Sequence, residues 1–150
     1  KRGESGCWAR RVQSLRLFDA AFLIDLVNGD EGAARKAEEV DAEGLFKAIS
    51  IVIVHEYLRG VYYLYIYYKK LLESKLKRAE AELVRFEILP YPYEVAKIAA
   101  EIDATLALEG VNISLADVII AATTLHYKLT LVTRNIERFK RIPKLSIETY

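Results

Sequence analysis

Between Ser114 and Phe139, in SLADVIIAATTLHYKLTLVTRNIERF, the spacing of apolar and polar positions is the clearest in the chain. Val118, Ile119, Ala121, Ala122 and Leu125 make a helix apolar nearly all round, which predicts burial. Ser114 stands where it can cap that helix, and Asp117 completes the Ser-x-x-acid spacing of a capping box. After a tight turn, Thr130 to Thr133 is a β-branched run suited to a central parallel strand. Asn135 and Glu137 then leave its carboxyl end, the end where open α/β sheets carry their sites.

The same alternation runs through the rest of the chain. Leu15 to Phe18 reads as a short strand ended by Asp19, and Ala21 to Val27 as a helix stopped by Asn28 and Gly29. Asp30 caps a polar helix over about 31–43, closed by Gly44. Leu45 to Ser50 is a second strand. From Ser50 a helix carries His55, Glu56 and Arg59 into Tyr62-Tyr63-Leu64-Tyr65-Ile66-Tyr67-Tyr68. A charged amphipathic helix is expected over Lys69 to Phe86, then a strand at Glu87 to Leu89 stopped by Pro90 and Pro92. Tyr93 to Leu108 is helical, and Ser146 to Glu148 is an edge strand. Strands alternating with helices predict a three-layer α/β/α sandwich around a mostly parallel sheet of about five strands. The Tyr62 to Tyr68 stretch is apolar or aromatic on every side, more than one sheet face needs. Its surplus predicts an interface, either a homodimer or a partner's groove, unless the helix over 69–86 folds back to cover it.

Composition narrows the picture. At 150 residues and 53% hydrophobic, one domain over 15–150 with a sizeable core is expected. The first fourteen residues have no periodicity and no apolar run, so they read as a loose N-terminal arm or a cloning remnant. Lys1, Arg2, Arg10 and Arg11 against Glu4 give this arm +3, and the whole chain is +1, which leaves −2 for the domain. That excludes nucleic-acid binding by bulk charge; such binding must be local or bridged by metal. Cys7 is the only cysteine, so there is no disulfide framework, in keeping with a reducing, cytoplasmic setting. No apolar run reaches about 18 residues, and no membrane span is expected.

Asp19, Glu56, Asp117 and Asn135 all fall near the carboxyl edge of a right-handed doubly wound sheet. Three carboxylates there repel one another unless a hard cation such as Mg²⁺ or Mn²⁺ neutralises them. Each acid also has a bland account: Asp19 as a helix cap, Asp117 as half a capping box, Glu56 as an exposed helix acid. His55 points about 100° away from Glu56 on a helix and receives no role, nor does His126. Asp25 and Asp103 read as surface acids, a supporting role for Asp25 staying open.

Three segments in order are similar to the PIN-domain family, in its VapC toxin type. FDAAFLIDLVNG resembles its opening, SIVIVHEYLRG its second signature, and GVNISLADVIIAATTLHYKLTLVTRNIERF its third. The resemblance covers about Leu15 to Tyr150. It implies an Mg²⁺- or Mn²⁺-dependent RNA endonuclease, the toxin of a toxin–antitoxin pair, with a small antitoxin as partner and commonly a homodimer. The family's acids fall on Asp19, Glu56 and Asp117, the expected metal ligands, and its fourth acidic position falls on Asn135. Glu137, two residues on, is a candidate substitute, and Thr133 is expected to support the loop. Arg134, Arg138, Lys140 and Arg141 follow, either to hold the RNA backbone or as a solvated face. Because Asn135 carries no charge, a catalytically weak PIN-like module that binds RNA or a protein is the alternative. A receiver-like signalling domain is excluded, since Asp19 stands alone and the third strand ends in Leu89-Pro90-Tyr91.

Overall fold

The computed structural model describes residues 15–68 and 72–150. The arm 1–14 with Cys7, and the first three residues of the helix expected from Lys69, lie outside the described residues. The strands are β1 (Leu15–Phe18), β2 (Phe46–Ser50), β3 (Glu87–Leu89), β4 (Thr130–Val132) and β5 (Ser146–Glu148). They pair in parallel throughout, in the order β3-β2-β1-β4-β5. The helices are α1 (Ala20–Val27), α2 (Glu31–Ala42), α3 (Ile51–Tyr68), α4 (Leu72–Leu83), α5 (Tyr93–Leu108), α6 (Leu115–His126) and the single turn α7 (Ile136–Phe139). Parallel crossovers are right-handed, so stepping outward from β1 to β2 and β3 puts α1 to α4 on one face. Returning across β1 to β4 puts α5 and α6 on the other, which gives the three layers expected.

Leu17, Phe18, Ala48, Ile49, Leu131 and Val132, from the three central strands, have no exposed surface. Unbroken apolar runs of this kind are what a sheet covered on both faces requires. Helix α6 is buried from Asp117 through Thr124. It accommodates two threonines because their hydroxyls donate to the Ile119 and Ile120 carbonyls one turn back, at 2.7 and 2.8 Å.

Two features position the site. The β1–β4 register pairs Phe18 with Val132, so the next residues along, Asp19 and Thr133, emerge side by side at the carboxyl edge. Thr133 extends the ladder by one bond beyond β4, its N–H donating to the Glu148 carbonyl at 3.0 Å. Two helices that carry site acids start with a polar cap: Asp19 for α1 and Ser114 for α6. Away from the site, α4 packs along α3 yet leaves Tyr63, Ile66 and Tyr67 exposed at 59, 66 and 66%. Among the described residues the neighbouring helix therefore does not cover the tyrosine-rich surplus.

Candidate active site

Asp19 is the best-held acid of the carboxyl edge. It is 4% exposed, and both carboxylate oxygens are engaged. Oδ1 accepts the Phe22 N–H at 3.0 Å, closing the first turn of α1, and Oδ2 accepts the Thr133 hydroxyl at 2.6 Å. Thr133, fully buried, also accepts the Asn135 N–H at 3.0 Å. One hydroxyl thus ties the end of β1 to the loop after β4. Burial pushes the Asp19 carboxyl above its ordinary value. The bonds from Thr133 and Phe22 pull the other way, Asp117 adds to the rise, and Arg138 opposes it.

Asp117 is 8% exposed and opens α6, its N–H donating to Ser114 Oγ at 3.1 Å. The serine half of the expected capping box is therefore made. The Asp117 carboxylate faces Arg138, with Oδ2 3.5 Å from Nη1. Glu56 lies two turns into α3. Its carboxyl is also pushed up, first by burial and then by Asp117, with Arg138, His55 and Arg59 opposing. Asp19 and Glu56 are each coupled to Asp117, so the three acids expected from the sequence do share one edge and one field.

Two expectations change. The carboxylates were expected within reach of one cation, yet among the described residues no three Asp, Glu, His or Cys side chains stand close enough to ligate one ion. Asp117 is turned to Arg138 instead, and Asp19 spends a lone pair of each oxygen on the fold. The donor set still fits a hard cation, being all oxygen: three carboxylates and the amide of Asn135. Glu137, the candidate fourth acid, is exposed and paired with Lys140 one turn on. Arg134 does not join the site. Its guanidinium lies on Asp30 at 2.8 Å and Asp25 at 3.4 Å and over the Tyr150 ring at 4.6 Å.

Asn135 is exposed and precedes α7 without a side-chain capping bond. His55 is exposed, in line with having no assigned role. Tyr150 was not picked out by the sequence. It donates to Asp25 at 2.7 Å and meets Phe22 edge-on with ring centroids 5.0 Å apart. Arg138 was legible only as one of four clustered cations.

Comparison with known proteins agrees with this architecture. The PIN domain family model matches residues 16–145, and the chain belongs to that family. Its relatives lie in the VapC group. Ribonuclease VapC2 of Rickettsia felis is 31% identical over 134 residues, 89% of this chain and 96% of that protein. Ribonuclease VapC of Rickettsia bellii is 39% identical over 64 residues, 43% of this chain but only 48% of its own length. Among solved structures, VapBC2 from Rickettsia felis bound to a DNA fragment from its promoter superposes with a TM-score of 0.77. That match has 26% identity and covers 91% of this chain and 98% of the other.

Proposed function

We propose that this chain is a metal-dependent endoribonuclease and the toxin of a toxin–antitoxin pair. The observation that carries the reading is Asp19, a buried carboxylate fixed by Thr133 at a sheet edge it shares with Glu56 and Asp117. The Asp19 and Glu56 carboxyls are both pushed up, burial first and the nearby Asp117 charge adding to it, and such perturbed acids are a mark of functional sites. Asp19, Glu56 and Asp117 would hold Mg²⁺ or Mn²⁺, which supplies an activated water and offsets charge building on the phosphodiester. The chain's own residues do the positioning. Thr133 and the Phe22 N–H fix Asp19. Glu56, on the solvent side of α3 with its carboxyl pushed up, is the residue placed to take or return a proton. Asn135 presents an uncharged amide to a phosphate oxygen.

A partner reading follows from the apolar groove beside Glu56. This groove, about 680 Å³, is lined by Ile24, Val27, Tyr57, Val61, Leu64 and Tyr65 among others. The Rickettsia felis relative is a VapBC complex. A small VapB-type antitoxin laid in this groove would cover apolar surface and lie next to a catalytic acid. Ile66 and Tyr67, exposed and outside the groove lining, then serve a homodimer contact.

The test is cleavage of a structured RNA by the purified chain with Mn²⁺, with Mn²⁺ plus EDTA, and by Asp19→Asn. Cleavage only by the wild type with free Mn²⁺ is expected. Cleavage that survives EDTA, or equal cleavage by Asp19→Asn, would refute the assignment.

A further inference from the structure

We propose that Arg138 is the resident counter-ion of the acidic cleft, and that it makes a divalent cation and an RNA phosphate bind cooperatively. The inference rests on the metal-dependent reading above. Three carboxylates share the edge without meeting at one point, and among the described residues the cation that forms an ion pair with one of them is Arg138, 3.5 Å from Asp117 Oδ2. Of the other cations in the run, Arg134 is committed to Asp30 and Asp25 and Lys140 to Glu137, while Arg141 pairs with none of the three acids. The buried Phe139 next to it pins α7 against the core, so the guanidinium is aimed at the cleft by a fixed turn.

The pair is asymmetric. The Asp117 side chain is 11% exposed, whereas that of Arg138 is 54% exposed. The carboxylate therefore stays in place, and the guanidinium is free to leave. An arginine is always charged and carries a planar fork of donors that suits phosphate as well as carboxylate. While it rests on Asp117 it repels an incoming divalent ion and occupies one of the ion's ligands. Once the ion takes Asp117, the guanidinium is released at the carboxyl edge, where a phosphodiester would lie. In the other direction, a phosphate that draws Arg138 away uncovers Asp117 for the ion. Coupling of this kind is reciprocal by thermodynamic necessity. The opposing account is an ordinary surface ion pair, which contributes little to anything.

Calorimetric Mn²⁺ titrations of the wild type, Arg138→Gln and Arg138→Lys separate the two, each run with and without a 2′-O-methyl RNA oligonucleotide that resists cleavage. A pair this exposed contributes little to stability, so Arg138→Gln should fold normally. Without oligonucleotide, Arg138→Gln should bind Mn²⁺ roughly tenfold tighter, the scale of one removed charge beside a divalent ion. Arg138→Lys, which keeps the charge, should stay near the wild type. The oligonucleotide should tighten Mn²⁺ binding several-fold in the wild type and not in Arg138→Gln. Equal, measurable Mn²⁺ affinities in wild type and Arg138→Gln would overturn the role of Arg138 and leave the nuclease reading standing. No Mn²⁺ binding by either protein would overturn both.

Discussion

Thr133→Val removes one oxygen and keeps the shape, which makes it the sharpest probe of how the site is held. That hydroxyl donates to the buried Asp19 carboxylate at 2.6 Å and accepts the Asn135 N–H at 3.0 Å. Valine fills the same space, so no cavity term enters. A hydrogen bond to a charged, buried acceptor contributes about 1.5–3 kcal/mol. The Asn135 amide, on an exposed residue, can turn to water and adds little. The expected loss near neutral pH is about 2 kcal/mol, or about 4–8 °C in Tm for a domain of this size. The loss must also depend on pH. Burial already holds the Asp19 carboxyl above its ordinary value of 3.8, so the fold prefers it neutral. Asp19 therefore favours the fold most at pH below its unfolded value, and that contribution drains away as pH rises through its folded value. Valine deletes the bond that favours the charged form, so the folded value climbs further and the neutral-pH loss deepens. Denaturant melts at about pH 4 and pH 8 should show a larger difference from wild type at the higher pH for Thr133→Val. Thr133→Ser, which keeps the hydroxyl and loses only a buried methyl, should show a small loss of the same size at both. A pH-independent difference, or one below about 0.5 kcal/mol at neutral pH, would refute the idea that Thr133 acts through the Asp19 charge.

Asn135→Asp should tighten Mn²⁺ binding by roughly tenfold, the effect of one more carboxylate at the cleft mouth, whereas superimposed titration curves would show that Asn135 merely shapes the turn before α7. Tyr150→Phe should destabilise the fold by about 1 kcal/mol, measured by urea unfolding, because Asp25 loses its 2.7 Å donor while the Arg134–Asp30 pair persists.

Two landmarks of the site were readable because each does a local job. Asp19 and Ser114 are helix caps, and a cap announces itself by its place before an apolar periodic run. The central strands gave themselves away by short apolar pairs bounded by turn signals, Leu17-Phe18, Ala48-Ile49 and Leu131-Val132. What joins these pieces was less legible. The Thr133–Asp19 bond follows from the β1–β4 register, which no local pattern encodes. Asp25 and Tyr150 stand far apart in the chain and find each other only through the packing of Phe22. Arg134 and Arg138 looked alike in one basic run, but the turn at Asn135 sends the first towards α1 and α2 and the second back over Asp117. The carboxylate spacing was also out of reach, because side-chain rotamers rather than backbone placement decide whether three oxygens meet.

The strand order has a consequence for the timing of synthesis. β1 is made first but sits at the centre of the sheet, waiting for β4 on one side. Thr133 follows Asp19 by 114 positions, and at 5–20 residues per second a ribosome needs about 6–23 s to cover them. Throughout that interval Asp19 lacks its hydroxyl partner, and for most of it Asp117 has not been made. The acidic cleft comes into existence only when the last quarter of the domain slots in beside β1, so its assembly is one of the last events of folding on the ribosome.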